Sequence, residues 1–208
     1  MVWDMVAQFP AQQLLAFMAG ALVVNVVPGA DVIFATACGI SGGPKAGAMA
    51  GFGVGIGVLW HVTLAALGVS ALIAAYPQAL SAIRWIGAGY LLWLGWKSWF
   101  AGKGLAEGSG VPSGWRAFRR GILSNVLNPK PVLFILAFLP QFVDPAVGPI
   151  WKQVVLLGGI FAFSGGVVTV AYGVLAGYAG RALAAKMGAV NKVAAVLFAG
   201  LAAKLVLD

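Results

Sequence analysis

The chain has 208 residues, of which 62% are hydrophobic and only 9% charged, against roughly 25% charged in an ordinary soluble domain. Mean hydropathy is +0.98, and apolar runs of about 20 residues, the length needed to cross a hydrocarbon layer of about 30 Å, recur from end to end. That excludes a soluble fold, and the net charge of +8 is first explained by membrane topology, so no nucleic-acid partner is expected.

The opening residues MVWDMVAQFPAQQ carry an Asp and no Lys or Arg. The apolar segment after them is too long for a signal core, so the first helix is expected to be retained. A single cysteine, Cys38, allows no intrachain disulfide and no two-thiol shuttle.

Apolar runs bounded by turn signals predict spans near 12–37, 46–75, 79–100, 116–142, 152–180 and 190–207. The expectation is an all-α membrane protein of six transmembrane helices, without the dyad alternation of a barrel strand. The one linker-like stretch, AGKGLAEGSGVPSG, covers 101–114. It divides the chain into a first repeat (about 1–100), a cytoplasmic loop (about 101–115) and a second repeat (about 116–208), all within one transmembrane domain. Nine basic residues, from Lys45 through Arg116, Arg119 and Arg120 to Lys192, fall in or beside the first, third and fifth loops; Arg84, Lys152 and Lys204 lie on the other side. The bias predicts those three loops in the cytoplasm and both termini outside, in the periplasmic or extracellular space. Trp85 at one end of the third span and Trp96 and Trp99 at the other would mark its two interfaces.

Two spans are interrupted in matching places. Asn25-Val-Val-Pro28-Gly29-Ala-Asp31 breaks the first and Asn125-Val-Leu-Asn128-Pro129-Lys130-Pro131 the fourth, with the asparagines 100 residues apart. Small residues four apart line the second span (Gly43, Gly47, Gly51, Gly55) and the fifth (Gly165, Thr169, Gly173, Gly177), spacing that lets helix backbones approach closely. Such stripes pack two halves together or join two protomers, so a homodimer stays open. Halves of three spans enter the membrane from opposite sides, so the repeat is inverted. Broken helices in such halves can build a midplane site that opens alternately to each side.

Proline removes a backbone donor and frees a carbonyl that costs several kcal/mol if it faces lipid. The amides of Asn25, Asn125 and Asn128 are short enough to pair with such groups, and Asn128-Pro129 reads as an N-cap followed by proline at the first helical position. Lys130 would then sit at the positive start of a half-helix, where a cation needs an anion. Asp31 would sit at the favourable start of its own. Each charge costs about 2.5 to 3.5 kcal/mol at the span centre, so both should face the interior. They would either pair with each other or meet a substrate's carboxylate and ammonium, with Asp31 also able to carry a proton.

His61, the only histidine, reads as a satisfied core imidazole or as a relay or substrate contact. Tyr172, Thr169, Ser164 and Thr63 offer hydroxyls. No cluster of acids, histidines or thiolates suits a metal, no cofactor is implied, and no nucleophile–base set suggests an enzyme. The glycines of 51–57 lie within a span and follow no strand, so they are no dinucleotide loop.

At PGAD (28–31), NPKP (128–131) and FLPQFV (138–143), and also at LWHVTLAALG (59–68) and IGAGYLLWLG (86–95), the sequence resembles the LysE/RhtB family of bacterial amino-acid exporters, in order and over nearly its whole length. The family's first motif is usually PGPD, and Ala30 here replaces the second proline. The resemblance implies an inner-membrane exporter of amino acids or close derivatives, exchanging them for protons, with Pro28, Gly29, Asp31, Asn128, Pro129 and Lys130 as its signature. The lack of a second acid within the spans favours a neutral substrate. An ion or metal-cation efflux protein of related architecture is the alternative.

Overall fold

The structure is a computed structural model that describes residues 9–75, 79–101, 110 and 113–207. Every regular element among them is helical: α1 (Ala11–Val26), α2 (Ala30–Ala75), α3 (Ala79–Trp99), α4 (Gly114–Val126), α5 (Pro129–Ala137), a 3-10 turn (Leu139–Phe142) and α6 (Ile150–Leu207). The expected N-terminal segment through residue 8 and most of the 101–114 linker lie outside the described residues.

Both predicted breaks are present. The helix is interrupted between Val26 and Ala30, and again between Val126 and Pro129, where the two segments of the bent pair meet at 48°. Two further breaks lie inside elements with otherwise continuous helical hydrogen bonding. In α2, Gly43 has φ +77°, a conformation that glycine adopts without the penalty a side chain brings. A methyl group at either Gly39 or Gly47 would meet the carbonyl oxygen of Gly173. Eight residues of straight helix would hold those positions about 12 Å apart, so the chain folds back at Gly43. Gly43 is therefore the turn and not, as expected, part of the small-residue stripe. In α6 the break is at Ala179.

By length and composition, Ala30–Gly68, Ile150–Gly180 and Ala185–Lys204 can each cross a membrane, and the pair Gly114–Val126 with Pro129–Phe142 adds a fourth crossing if it counts as one span. Ala11–Val26 is apolar but shorter.

Glycine decides how these helices pack. The part of α2 beyond Gly43 runs antiparallel to the first part of α6, with Gly47 on Gly173, Gly51 on Val170, Gly55 on Gly166 and Val62 on Gly158. The same stretch runs parallel to α4, with Gly53 on Phe118 and Gly57 on Ile122. Two glycine faces on one helix thus bring two neighbours to backbone contact. The stripe on α6 departs from expectation: Gly173 and Gly177 pack on α2, whereas Gly165 faces Asn25.

Phenylalanines hold the other side. Phe17 of α1 is fully buried and packs edge-on to Phe142 at 5.4 Å, while Phe134 of α5 stacks on Phe161 of α6 at 4.6 Å. Aromatic pairs of this geometry add about 0.5 to 1.5 kcal/mol beyond burial, and here they brace α1 and α6 against the helix that follows the second break. Trp85, Trp96 and Trp99 on α3 are exposed, as interface markers would be.

Candidate functional site

The first break begins where Val27 turns extended, with its N–H still donating to Val23 O at 3.2 Å. Helix resumes when Ile33 N donates to Gly29 O at 2.9 Å. The carbonyls left open at the C-terminal end of α1 are taken by side chains from elsewhere. Tyr172 Oη donates to Val26 O at 3.0 Å and Lys130 Nζ to Val27 O at 2.6 Å. The stem of Lys130 lies over Gly29, where a Cβ would come within 3.3 Å of its Cδ.

The second break is capped as its sequence predicts. Asn128 is extended and its Oδ1 accepts from Lys130 N at 3.0 Å, with Pro129 next in the chain. Asn128 N itself donates to Asn125 O at 2.9 Å. His61 Nε2 also lies 3.0 Å from Asn125 O. A carbonyl only accepts, so that nitrogen carries the ring proton.

The two breaks exchange charged residues. Asp31, in the first turn of α2, reaches the second break, where its Oδ2 accepts from Asn125 Nδ2 at 2.8 Å and Asn128 Nδ2 at 2.7 Å and its Oδ1 accepts from Ser124 Oγ at 3.4 Å. Lys130, in the first turn of α5, reaches the first break. The anion expected as its partner is replaced by the carbonyl end of α1, which carries partial negative charge and suits a cation. Asn25 Nδ2 turns away from its own break and donates to Phe161 O at 3.2 Å and Ser164 Oγ at 3.0 Å on α6.

Between the breaks lies a cavity of about 30 Å³, room for roughly one water molecule. Its lining is both polar, from Asn25, Asp31, Asn125, Asn128, Lys130 and Thr169, and apolar, from Val24, Val32, Val54, Val58 and Phe161. Asn125 Oδ1 is buried without a hydrogen-bond partner among the described residues.

The structure thus gathers Asn25, Asp31, Asn125, Asn128 and Lys130 around one cavity, with Gly29 and Pro131 also lining it and Pro28 and Pro129 setting the chain breaks. His61 is buried and touches the site through the backbone of Asn125. Thr63 bonds to Leu59 O on its own helix and takes no part. Ser124 and the carbonyl of Val27 were not anticipated. Ser124 adjoins Asn125 and offered a weak signal, whereas a backbone acceptor offers none in sequence.

Residues 22–208 match the LysE type translocator family. A Vibrio cholerae protein described as an uncharacterized membrane protein is 33% identical over 190 residues, 89% of this chain and 92% of its own length. Leucine efflux proteins of Klebsiella pneumoniae and an Enterobacter species are 35% identical over 144 residues and 36% over 143, each alignment covering 67% of this chain and 68% of the relative. No solved structure matches. The family match takes in both breaks and every residue that closes the cavity, and the chain belongs to the LysE type translocator family.

Proposed function

We propose that this protein is a secondary active exporter of small neutral amino acids, with leucine the first candidate, and that it works by alternating access in exchange for protons. One observation carries the reading: a buried carboxylate and a half-buried lysine, each at the start of a half-helix, cross to opposite breaks around one small cavity and are held there by neutral groups. A zwitterion can replace those neutral partners. Its carboxylate would take the place of Val27 O at Lys130, and its ammonium the place of the asparagine amides at Asp31. The cavity is too small for an amino acid as it stands, so loading requires the halves to part.

The names of the leucine efflux relatives support the substrate class. The inverted repeat of six spans is supported by a second pairing at the same offset of 100: His61 bonds to the Asn125 carbonyl, and the Asn25 amide to the Phe161 carbonyl. Each broken helix is thereby fastened to the second helix of the other half, where rocking would part them. We place the protein in the bacterial inner membrane with both termini outside, on the basic-residue bias. Protonation of Asp31 from the outside would displace the ammonium and reset the cycle.

The test is efflux from cells preloaded with mixed dipeptides, each released amino acid followed by mass spectrometry, for the intact protein, Lys130→Ala and Asp31→Asn at two external pH values. Selective release that Lys130→Ala abolishes, and that loses its acceleration by acidic medium in Asp31→Asn, is the expected result. Full proton-coupled export by Asp31→Asn would refute its role. No amino-acid release by inserted wild-type protein would refute the exporter and turn attention to cation efflux.

A further inference from the structure

The valines that line the cavity need a reason. Val32 and Val54 are buried to 3% exposure, yet they pack into neither of the two apolar cores, the phenylalanine-rich one and the small alanine-rich one around Cys38. They face the same small space as Asp31, Asn125 and Asn128. Apolar side chains set against a polar cavity forgo the contacts a core would give them.

We propose that Val32 and Val54, with Val58 one turn further along α2, form the side-chain subsite of the exporter and select an aliphatic amino acid by size. This rests on the exporter reading above. The lining supplies both kinds of contact such a substrate needs. Charged and amide groups would hold its ammonium and carboxylate, and Val32 and Val54, with Val58 joining them from the edge of the phenylalanine-rich core, would meet its side chain. Val32 lies beside Asp31 in sequence and so moves with the group that grips the ammonium; Val54 and Val58 come from beyond the Gly43 turn. A pocket built this way discriminates by fit, and one methylene more or less changes relative rates by about 10 to 200-fold.

The experiment is counterflow in proteoliposomes supplied with an equimolar mixture of alanine, leucine and phenylalanine, comparing wild type with Val54→Ala, Val54→Phe and Val32→Ala. The readout is the ratio among the three amino acids within one preparation, which does not depend on how much protein is folded. Val54→Ala should raise phenylalanine relative to leucine by about tenfold or more. Val54→Phe should shift the ratio toward alanine. A ratio unchanged in all three variants, with wild type active, overturns the subsite and leaves the exporter standing. Wild-type protein that moves none of the three overturns both.

Discussion

Asn128 does two jobs with one side chain, and substitution can separate them. Its Oδ1 caps the helix after the break, accepting from Lys130 N at 3.0 Å, while its Nδ2 donates to the Asp31 carboxylate at 2.7 Å. Loss of an N-cap costs about 1 kcal/mol, and loss of a hydrogen bond to a charged group about 1.5 to 3 kcal/mol. Asn128 is buried, so water does not make good either loss, and Asn128→Ala should destabilise by about 2.5 to 4 kcal/mol. Asn128→Ser retains an oxygen suited to the cap and gives up the reach to Asp31, so it should lose only the larger part, about 1.5 to 3 kcal/mol. Asn128→Asp keeps the cap but sets a second carboxylate against the first in a site with little water, and should be the worst of the three at neutral pH. The assay is reversible unfolding in mixed micelles by titration with sodium dodecyl sulfate. If Ala and Ser are equally destabilised, the cap contributes nothing; if Asp is as stable as wild type, the Asp31–Asn128 contact does not hold a charged carboxylate.

The glycines of α2 should divide by mechanism. Gly43→Ala meets no neighbour within 4 Å and should cost only the backbone penalty of its φ of +77° and ψ of 179°, a glycine-only conformation, about 1 to 3 kcal/mol; Gly47→Ala drives a methyl into the backbone of Gly173 and should cost more in the same micelle assay, and equal costs would contradict the antiparallel packing of α2 on α6. Tyr172→Phe removes one neutral hydrogen bond, to Val26 O, and should cost about 1 kcal/mol while leaving the amino-acid preference unchanged in the efflux assay. A changed preference in Tyr172→Phe would show that the hydroxyl meets substrate.

Sequence periodicity and proline placement were enough to locate both breaks and the residues around them, because a proline in an apolar run has few other uses and each freed carbonyl demands a partner. The cap at Asn128 was legible for the same reason. What sequence could not supply was which break each charge would serve. Lys130 follows Pro129 in the first turn of its half-helix, as its sequence implies, where a cation calls for an anion; in the folded chain it reaches a carbonyl more than a hundred residues away. Nor could four-residue spacing tell which face of a helix meets which neighbour. Gly165 and Gly166 sit side by side, and it is Gly166 that packs on Gly55 while Gly165 faces Asn25. Gly43 fitted the stripe by number but is the turn, since spacing alone does not distinguish a glycine that lets helices touch from one that lets the chain reverse.

The exchange of charges between breaks also bears on why the protein keeps two costly ions in its interior. Had Asp31 and Lys130 paired directly, their attraction would have offset part of their desolvation, but a substrate would then have to part an ion pair before it could bind. Here the carboxylate is held by amides and a hydroxyl and the ammonium by a carbonyl at a helix end. Such neutral partners stabilise each ion enough to bury it, and each gives way to an opposite charge at smaller cost. The two ions then remain separately available, one for each end of a zwitterion. A consequence distinguishes this from a structural pair: Asp31 and Lys130 face one cavity and share Asn128, so the double variant Asp31→Asn with Lys130→Met should differ from the sum of the two single variants by no more than the coupling of near neighbours, about 0.5 to 3 kcal/mol. A double variant that recovers most of the stability lost by either single variant would mean that the two charges compensate each other directly, and that the carbonyl and amide contacts are secondary.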